Sequence, residues 1–382
     1  MKLLLSSPHM GGNEQKYIKE AFETNWLAPL GPNVDAFEDA VAKYNEIPYS
    51  VALSSGTAAI HMALKCVGIE PGDTVFCSTL TFAASCNPAV YEGAELVFID
   101  SEPDTWNMSP RALRKALLDA AKMNKLPKAV IVVHLYGQCA DMAQILEICE
   151  YFGVPVIEDA AEALGATYRG SYAGTFGDYG IYSFNGNKII TTTGGGMIVS
   201  NNGDMMDKVR FWSAQSKDDA PYYQHSEIGY NYRMSNVCAG IGRGQMEVLD
   251  ERIEKKTEIF KRYEDCFKDL SEIEMMPIKN YGVPNYCLSC ATLTDECMMT
   301  PQELIDTLAK HGIESRRIWK PMHLQPVFKD CKFYSHFNHE TESVAEDIFN
   351  RGICLPSDTK MTKLEQHIVC EIIRDIIESE EK

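Results

Sequence analysis

The sequence predicts an α/β fold: a large domain built on a mainly parallel sheet, followed by a smaller α+β domain at the C-terminus. Three observations lead there. Short, continuously apolar runs recur at 50–53, 74–77, 96–99, 129–133 and 154–157, with helix-like pieces between several of them. Continuous rather than alternating runs mark strands covered on both faces, as in parallel sheets. Beyond Gly203 this rhythm stops, and a long helical stretch leads into a segment of different pattern. At 382 residues the chain is long enough to bury two cores, and the division is expected near 245/246, giving domains 1–245 (with an N-terminal arm) and 246–382.

Taken in order, residues 12–22 have helical composition and are broken by Asn25-Trp26-Leu27-Ala28-Pro29-Leu30-Gly31-Pro32. Trp26 in that irregular stretch reads either as a core anchor or as a lid over a ligand. Asn33 is a candidate cap for a helix through Tyr44. The strand at 50–53 runs into Ser54-Ser55-Gly56-Thr57, which opens a helix carrying Ala58, Ala59, Ile60, Leu64 and Val67. Further helices are expected at 110–121 and 142–151. Ser235 is a plausible cap for one helical stretch reaching Phe267. In the C-terminal part, strands are expected near 286–293 and 312–316, and helices at 301–311, 343–350 and 363–377. The acidic end Glu378-Ser379-Glu380-Glu381 reads as a frayed tail.

Composition narrows the function classes. A formal net charge of −18 and a pI near 5.0 argue against general binding to nucleic acid or to anionic membranes. Met1-Lys2-Leu3-Leu4-Leu5 begins like a signal peptide, but Ser6-Ser7-Pro8-His9 ends the apolar run too early. No run approaches the roughly 20 residues a membrane span needs. Thirteen cysteines without framework spacing favour reduced thiols in a cytoplasmic protein. Cys287-Leu288-Ser289-Cys290 lacks a second pair and reads as two strand residues rather than a zinc or redox site.

The stretch Ser183-Phe184-Asn185-Gly186-Asn187-Lys188 sets a lysine in a polar turn between two strand-like runs, with Gly194-Gly195-Gly196 close behind. A partly desolvated lysine of lowered pKa can attack a carbonyl and form a Schiff base. The working expectation is that Lys188 holds the aldehyde of pyridoxal phosphate. The chain must then supply a phosphate cradle, a carboxylate for the pyridine nitrogen and a ring-stacking residue. Ser54 to Thr57, at a helix N-terminus, suits a phosphate, although many helices start this way. Glu158, Asp159 and Glu162 follow an apolar strand. A carboxylate there can hold a pyridinium N–H, and a solvated acidic turn is the plainer alternative. Asp159 is the better candidate for the nitrogen, and Glu162, about one helical turn on, for the ring substituents. Phe82 follows another strand end and could stack on a flat ring or belong to the core. Ser183 could add a hydroxyl to the cradle. His134 is equally compatible with a hydrogen-bonded core residue.

With these residues in hand the chain resembles the DegT/StrS group of nucleotide-sugar aminotransferases, pyridoxal-phosphate enzymes with the aspartate-aminotransferase-like fold (fold type I). The likeness runs through Asn25 to Gly31, Ser55-Gly56-Thr57-Ala58-Ala59, Thr81-Phe82, Glu158-Asp159-Ala160-Ala161-Glu162, Ser183 to Lys188 and Tyr230-Asn231-Tyr232-Arg233-Met234-Ser235-Asn236. The segments Ser7 to Gly12, Ile318 to His323 and Arg351 to Ser357 are similar to a subgroup that aminates the 4-keto carbon of UDP-2-acetamido-2,6-dideoxy-hexos-4-ulose, on the route to bacillosamine-type sugars. The resemblance implies that Lys188 bonds the cofactor and moves the proton. It implies that Asp159 holds the pyridine nitrogen, that Phe82 covers a ring face and that Glu162 lies near the ring hydroxyl. Gly56, Thr57 and Ser183 would hold the phosphate, with Asn231 reaching it from a neighbouring subunit, so that a homodimer shares its active sites. Trp26, Arg316, Lys320 and His323 are the implied nucleotide-sugar residues, the alternative being solvated charges and a core Trp. The cluster Arg316-Arg317-Lys320 suits a diphosphate, and the implied amino donor is L-glutamate. Arg317 stands where the subgroup commonly has Pro, and Tyr286-Cys287 where it commonly has an Arg-Trp type of pair. The substrate alternatives are a 3-keto or a dTDP-linked sugar. A non-catalytic regulator is disfavoured by the intact Lys188 and Asp159.

Overall fold

The computed structural model describes residues 2–339 and 341–379. Its centre is an eight-stranded sheet in the order Tyr49–Leu53, Gly196–Ser200, Tyr179–Ser183, Val156–Asp159, Ala129–Val133, Thr74–Ser78, Glu95–Ile99, Lys332–Tyr334. From Tyr179–Ser183 to Lys332–Tyr334 every neighbouring pair is parallel, whereas Gly196–Ser200 runs antiparallel to both of its neighbours. The apolar runs are continuous because both faces are covered. Val130 and Val132 enter one core with Val97, Ile99, Val156 and Tyr182. Ala129 and Ile131 enter the other with Val75, Phe98, Ile157 and Ile181. Period-two alternation thus feeds two apolar layers.

Helices flank this sheet where the turn residues start them. Ser55 Oγ accepts the Ala58 amide to open Gly56–Cys66, and Ser109 Oγ accepts the Ala112 amide to open Pro110–Lys122 behind a proline at its first turn. Asn33 does not cap the second helix. That helix is Pro32–Tyr44, starting from Gly31 at φ 136°, and the Asn33 and Val34 amides donate to Asn236 Oδ1 from a distant helix. A Cβ on Gly31 would stand 2.8 Å from that same oxygen, which is why the position takes glycine.

The expected single helix from Ser235 to Phe267 is two helices, Asn236–Met246 and Leu249–Phe267. The first packs on the N-terminal helices Glu14–Glu23 and Pro32–Tyr44. The second carries Ile259, Tyr263 and Phe267 into a separate core with Leu304, Leu308, Val369 and Ile373. The break falls at Glu247 and Val248, ahead of the helix that enters this separate core. That second core lies against a four-stranded antiparallel sheet, Ile273–Met275, Ser289–Leu293, Gly352–Leu355 and Arg316–Arg317.

Several expectations shift here. The strand expected from Tyr286 begins at Ser289, so Cys287 precedes it and only Cys290 is a strand residue. The strand expected at 312–316 is Arg316–Arg317, while Ile313 bridges to Leu3. Two C-terminal segments return to the first 200 residues: Lys332–Tyr334 extends the large sheet, and Gly282–Val283 pairs with Thr167–Tyr168. The acidic end is helical through Ser379, and Glu380 and Glu381 lie outside the described residues.

Candidate active site

Parallel strands that all point one way bring their carboxyl ends to one edge, and the ligand site of such a sheet is the crevice there. Leu53, Ser78, Val133, Asp159 and Ser183 end there, and the loops leaving them line a cavity of about 360 Å³. Its walls include Gly56, Thr57, Phe82, His134, Asp159, Glu162, Ser183 and Lys188, together with Arg316 and Trp319 from the C-terminal part.

Lys188 lies in the turn after Tyr179–Ser183, its side chain 14% exposed, and its Nζ donates to Glu162 Oε1 at 3.1 Å. Burial alone would pull its pKa down, as a desolvated lysine leads one to expect. Attraction to Glu162, then to Cys287, outweighs that, and the net shift is upward from the ordinary value near 10.5. The expectation of a lowered pKa is therefore reversed, because attraction led by the buried Glu162 carboxylate exceeds the cost of burying the amine. The other Glu162 oxygen, Oε2, accepts the backbone N–H of Tyr136 at 3.2 Å, which fixes the carboxylate from both sides.

Asp159 and Glu158 are not a solvated acidic turn. The strand runs two residues further than expected, to Asp159, and both side chains are buried. Asp159 Oδ2 accepts the Ser85 hydroxyl at 2.6 Å, and Oδ1 accepts the Ala161 amide at 3.1 Å. Thr81 Oγ1 in turn lies 2.6 Å from Ser85 Oγ. Glu158 points the other way. It accepts the amides of Gly174, Phe176 and Gly177 and faces Nε2 of His134 at 2.8 Å. Since the Ala140 amide donates to His134 Nδ1, the His134 proton lies on Nε2 and goes to Glu158. His134 is thus both a hydrogen-bonded core residue and part of the cavity wall.

The phosphate end is a close backbone junction. A Cβ on Gly56 would meet Ser183 Cβ at 3.2 Å, and one on Gly196 would stand 2.3 Å from the Ser55 carbonyl carbon. The first amides of Gly56–Cys66 have no intrahelical acceptor, and the Ser55 cap serves only Ala58. Two glycines, a free helix start and the Ser183 hydroxyl leave a concavity of the right chemistry for a phosphate dianion. Phe82, 62% exposed, presents its ring to the cavity 6.1 Å from Trp319.

Four of the expected residues do not line this cavity. Trp26 is 43% exposed and is held through its carbonyl by Asn236 Nδ2, so it is neither core anchor nor lid within one chain. Asn231 is exposed and pairs with Ala214. Lys320 is exposed, outside the wall. His323 is packed between segments: Nδ1 meets Thr79 Oγ1 at 2.7 Å, Nε2 meets Glu346 at 2.9 Å, and the ring stacks on Phe333 at 3.8 Å. The cationic cluster is also dispersed. Adjacent strand residues face opposite ways, so Arg316 reaches the cavity while Arg317 donates to the Phe349 carbonyl over that residue's ring. The sequence assigns no role of their own to Thr81, Ser85, Tyr136, Asn187 and Trp319. Of these, Ser85 had a usable signal, being the hydroxyl one short turn after Phe82.

A buried lysine paired with a carboxylate, an aspartate beside a hydroxyl, an exposed aromatic ring and a phosphate concavity define a pyridoxal-phosphate aminotransferase site, and the donor set fits that cofactor. The DegT/DnrJ/EryC1/StrS aminotransferase family pattern matches residues 8–374. The chain is 53% identical to a putative pyridoxal phosphate-dependent aminotransferase, EpsN, of Bacillus subtilis, over 97% of this chain and 95% of that one. It is 37% identical to a GDP-perosamine synthase of Escherichia coli O157:H7 over 96% of each. Its structure superposes on a DegT DnrJ EryC1 StrS aminotransferase from Brucella abortus with a TM-score of 0.88 at 28% identity, covering 96% of this chain and 95% of that one. The protein belongs to the DegT/DnrJ/EryC1/StrS family and is a pyridoxal-phosphate-dependent sugar aminotransferase. No helix among the described residues is long and apolar enough to cross a membrane.

Proposed function

We propose that the protein transfers the amino group of L-glutamate to the C4 keto carbon of UDP-2-acetamido-2,6-dideoxy-hexos-4-ulose. The product is a UDP-4-amino-4,6-dideoxy-N-acetylhexosamine of the bacillosamine type, for a surface polysaccharide or glycan. The observation that carries the reading is the Lys188–Glu162 pair at the floor of a cavity whose rim bears Arg316. An amine that moves a proton thus lies inward and a diphosphate-compatible cation outward. Segments Ser7 to Gly12, Ile318 to His323 and Arg351 to Ser357 support the choice of sugar through their resemblance to the UDP-sugar subgroup.

Pyridoxal phosphate, when bound, supplies an electron sink for the carbon that exchanges its amine. The chain's own residues do the rest. Asp159, held by Ser85 and the Ala161 amide, keeps a carboxylate ready for a ring N–H. Nζ of Lys188 holds and moves the proton, and Glu162 orients that amine. Gly56, Thr57 and Ser183 hold the phosphate, and Phe82 covers a ring face. Asn231, exposed and outside its own cavity, reaches the phosphate of a neighbouring subunit in a homodimer. Trp26, Lys320 and His323 recede as sugar contacts within one chain, and Arg316 stays. Thirteen free thiols favour a cytoplasmic enzyme.

A second reading, a GDP-linked keto sugar, is favoured by the 37% identity to a GDP-perosamine synthase. Incubation with L-glutamate and UDP-, dTDP- or GDP-linked keto sugars, followed by mass spectrometry and NMR, separates the two. The first reading predicts amination of the UDP sugar at C4. Preferential amination of the GDP sugar would establish the second, and amination of neither would sink both.

A further inference from the structure

The turn Leu135-Tyr136-Gly137 leaves the sheet just behind the cavity, and Tyr136 adopts φ 51°, ψ 20° although it is a large aromatic residue. The left-handed region is costly for such a side chain, and a fold keeps it there only where the surroundings demand it. Two demands are visible, one at each end of the residue. Its backbone N–H donates to Glu162 Oε2 at 3.2 Å, the carboxylate whose other oxygen takes the Lys188 ammonium. Its side-chain hydroxyl accepts the backbone N–H of Trp319 at 3.2 Å, and the two rings pack at 5.0 Å. Tyr136 is fully buried, while Trp319 lines the cavity between Phe82 and the strand that carries Arg316.

The turn is also held from below. Gly137 sits at φ 96°, and a Cβ there would fall 1.9 Å from Asn285 Oδ1. Asn285 Nδ2 donates to the carbonyls of Glu162 and Leu164 at 2.8 and 2.9 Å. The same few residues therefore fix the Glu162 backbone, the Glu162 carboxylate and the main chain of Trp319. Those groups come from two distant stretches of chain, around Glu162 and Trp319.

We infer that Tyr136 is a positioning residue that sets the Trp319 wall of the substrate cavity in register with the Lys188–Glu162 pair. Its amide serves the proton-handling side and its hydroxyl the sugar side, so the two contacts can be separated by substitution. The inference rests on the keto sugar entering past Trp319, and the test contains one readout that needs no substrate.

Tyr136→Phe removes the hydroxyl and keeps the amide and the ring. The expected result is a five- to tenfold rise in KM for the keto sugar. The glutamate half-reaction should stay within twofold, and the absorbance titration of the cofactor-bound lysine should not move. In the cofactor-free protein, acrylamide should quench Trp319 more readily, read as the difference between Tyr136→Phe and the same variant carrying Trp319→Phe. Tyr136→Gly keeps the amide, releases the unfavourable φ and removes the ring. It should show a larger sugar defect than Tyr136→Phe with the glutamate half-reaction again the less affected. Equal slowing of both half-reactions in Tyr136→Phe would reduce the residue to a structural role and overturn the inference. Unchanged Trp319 quenching would overturn it as well, whatever sugar the enzyme uses. Failure of the parent enzyme on every keto sugar, with quenching changed as expected, would instead count against the substrate reading alone and uphold the Tyr136–Trp319 link.

Discussion

Replacing Glu162 by Gln tests the electrostatics of the site in the cofactor-free protein. The carboxylate lies 3.1 Å from Lys188 Nζ, and both side chains are largely buried. At that separation the gross attraction is about 5 kcal/mol for an effective dielectric near 20. Burial of the amine opposes it, and an opposite charge at such range favours the ammonium form. The direction follows from Lys188 being raised above its ordinary value. The ammonium then persists through neutral pH, and only the neutral amine captures an aldehyde. In the parent protein the capture rate of pyridoxal phosphate should climb about tenfold per pH unit between roughly pH 6.5 and 9. In Glu162→Gln the single amide oxygen and the NH2 group keep the side chain's size and shape, but the leading raising influence is gone. The profile should move to lower pH, and capture at neutral pH should quicken by about tenfold or more. Stopped-flow absorbance on cofactor-free protein across this range reads both. A profile that stays where it was, or moves to higher pH, would refute the reasoning. The linked stability effect has the same sign: the pair stabilises the fold below the unfolded lysine pKa and stops doing so as pH rises through the raised folded value.

Two further substitutions probe the parts around that pair. Ser85→Ala removes the 2.6 Å hydroxyl donor from Asp159. A hydrogen bond to a charged group contributes about 1.5–3 kcal/mol, so turnover measured by 2-oxoglutarate release should fall roughly ten- to hundredfold in a folded protein. An unchanged kcat would mean that Asp159 needs no such support. Gly196→Ala puts a Cβ 2.3 Å from the Ser55 carbonyl carbon and 2.4 Å from the Gly56 nitrogen. Thermal unfolding should show a loss of about 1–3 kcal/mol, and equilibrium dialysis should show weaker cofactor retention. Normal retention would separate the junction from phosphate binding.

The fold was readable in the sequence where local signals and burial agree. Val130 and Val132 on one face and Ala129 and Ile131 on the other make an apolar run that betrays a doubly covered strand. The helix expected through 235–267 is interrupted at Glu247 and Val248, where apolar periodicity continues across the break and so gives no local sign of it. Asn33 fails as a cap because Asn236, some 200 residues away, performs that role through its side chain. In the site, Gly56, Thr57, Phe82, His134, Asp159, Glu162, Ser183 and Lys188 share an edge because strand ends converge there. Arg317 and His323 look like neighbours of Arg316 in sequence, yet strand alternation and packing against Phe333 turn them elsewhere, and Lys320 is exposed outside the wall. Tyr136 left no local signal, since its importance comes from two contacts, to Glu162 and Trp319, that only the folded chain brings together.

The central claim is that Lys188 moves the proton in an amino transfer from glutamate to C4 of a nucleotide-linked keto sugar. Its most direct test is incubation of the cofactor-loaded enzyme with nitrogen-labelled L-glutamate and the UDP-linked 4-keto sugar, with NMR of the product and Lys188→Ala run in parallel. The account predicts labelled nitrogen on C4 with the parent protein and none with the variant. Label appearing at another carbon, or amination of the sugar by Lys188→Ala at the parent rate, would contradict it.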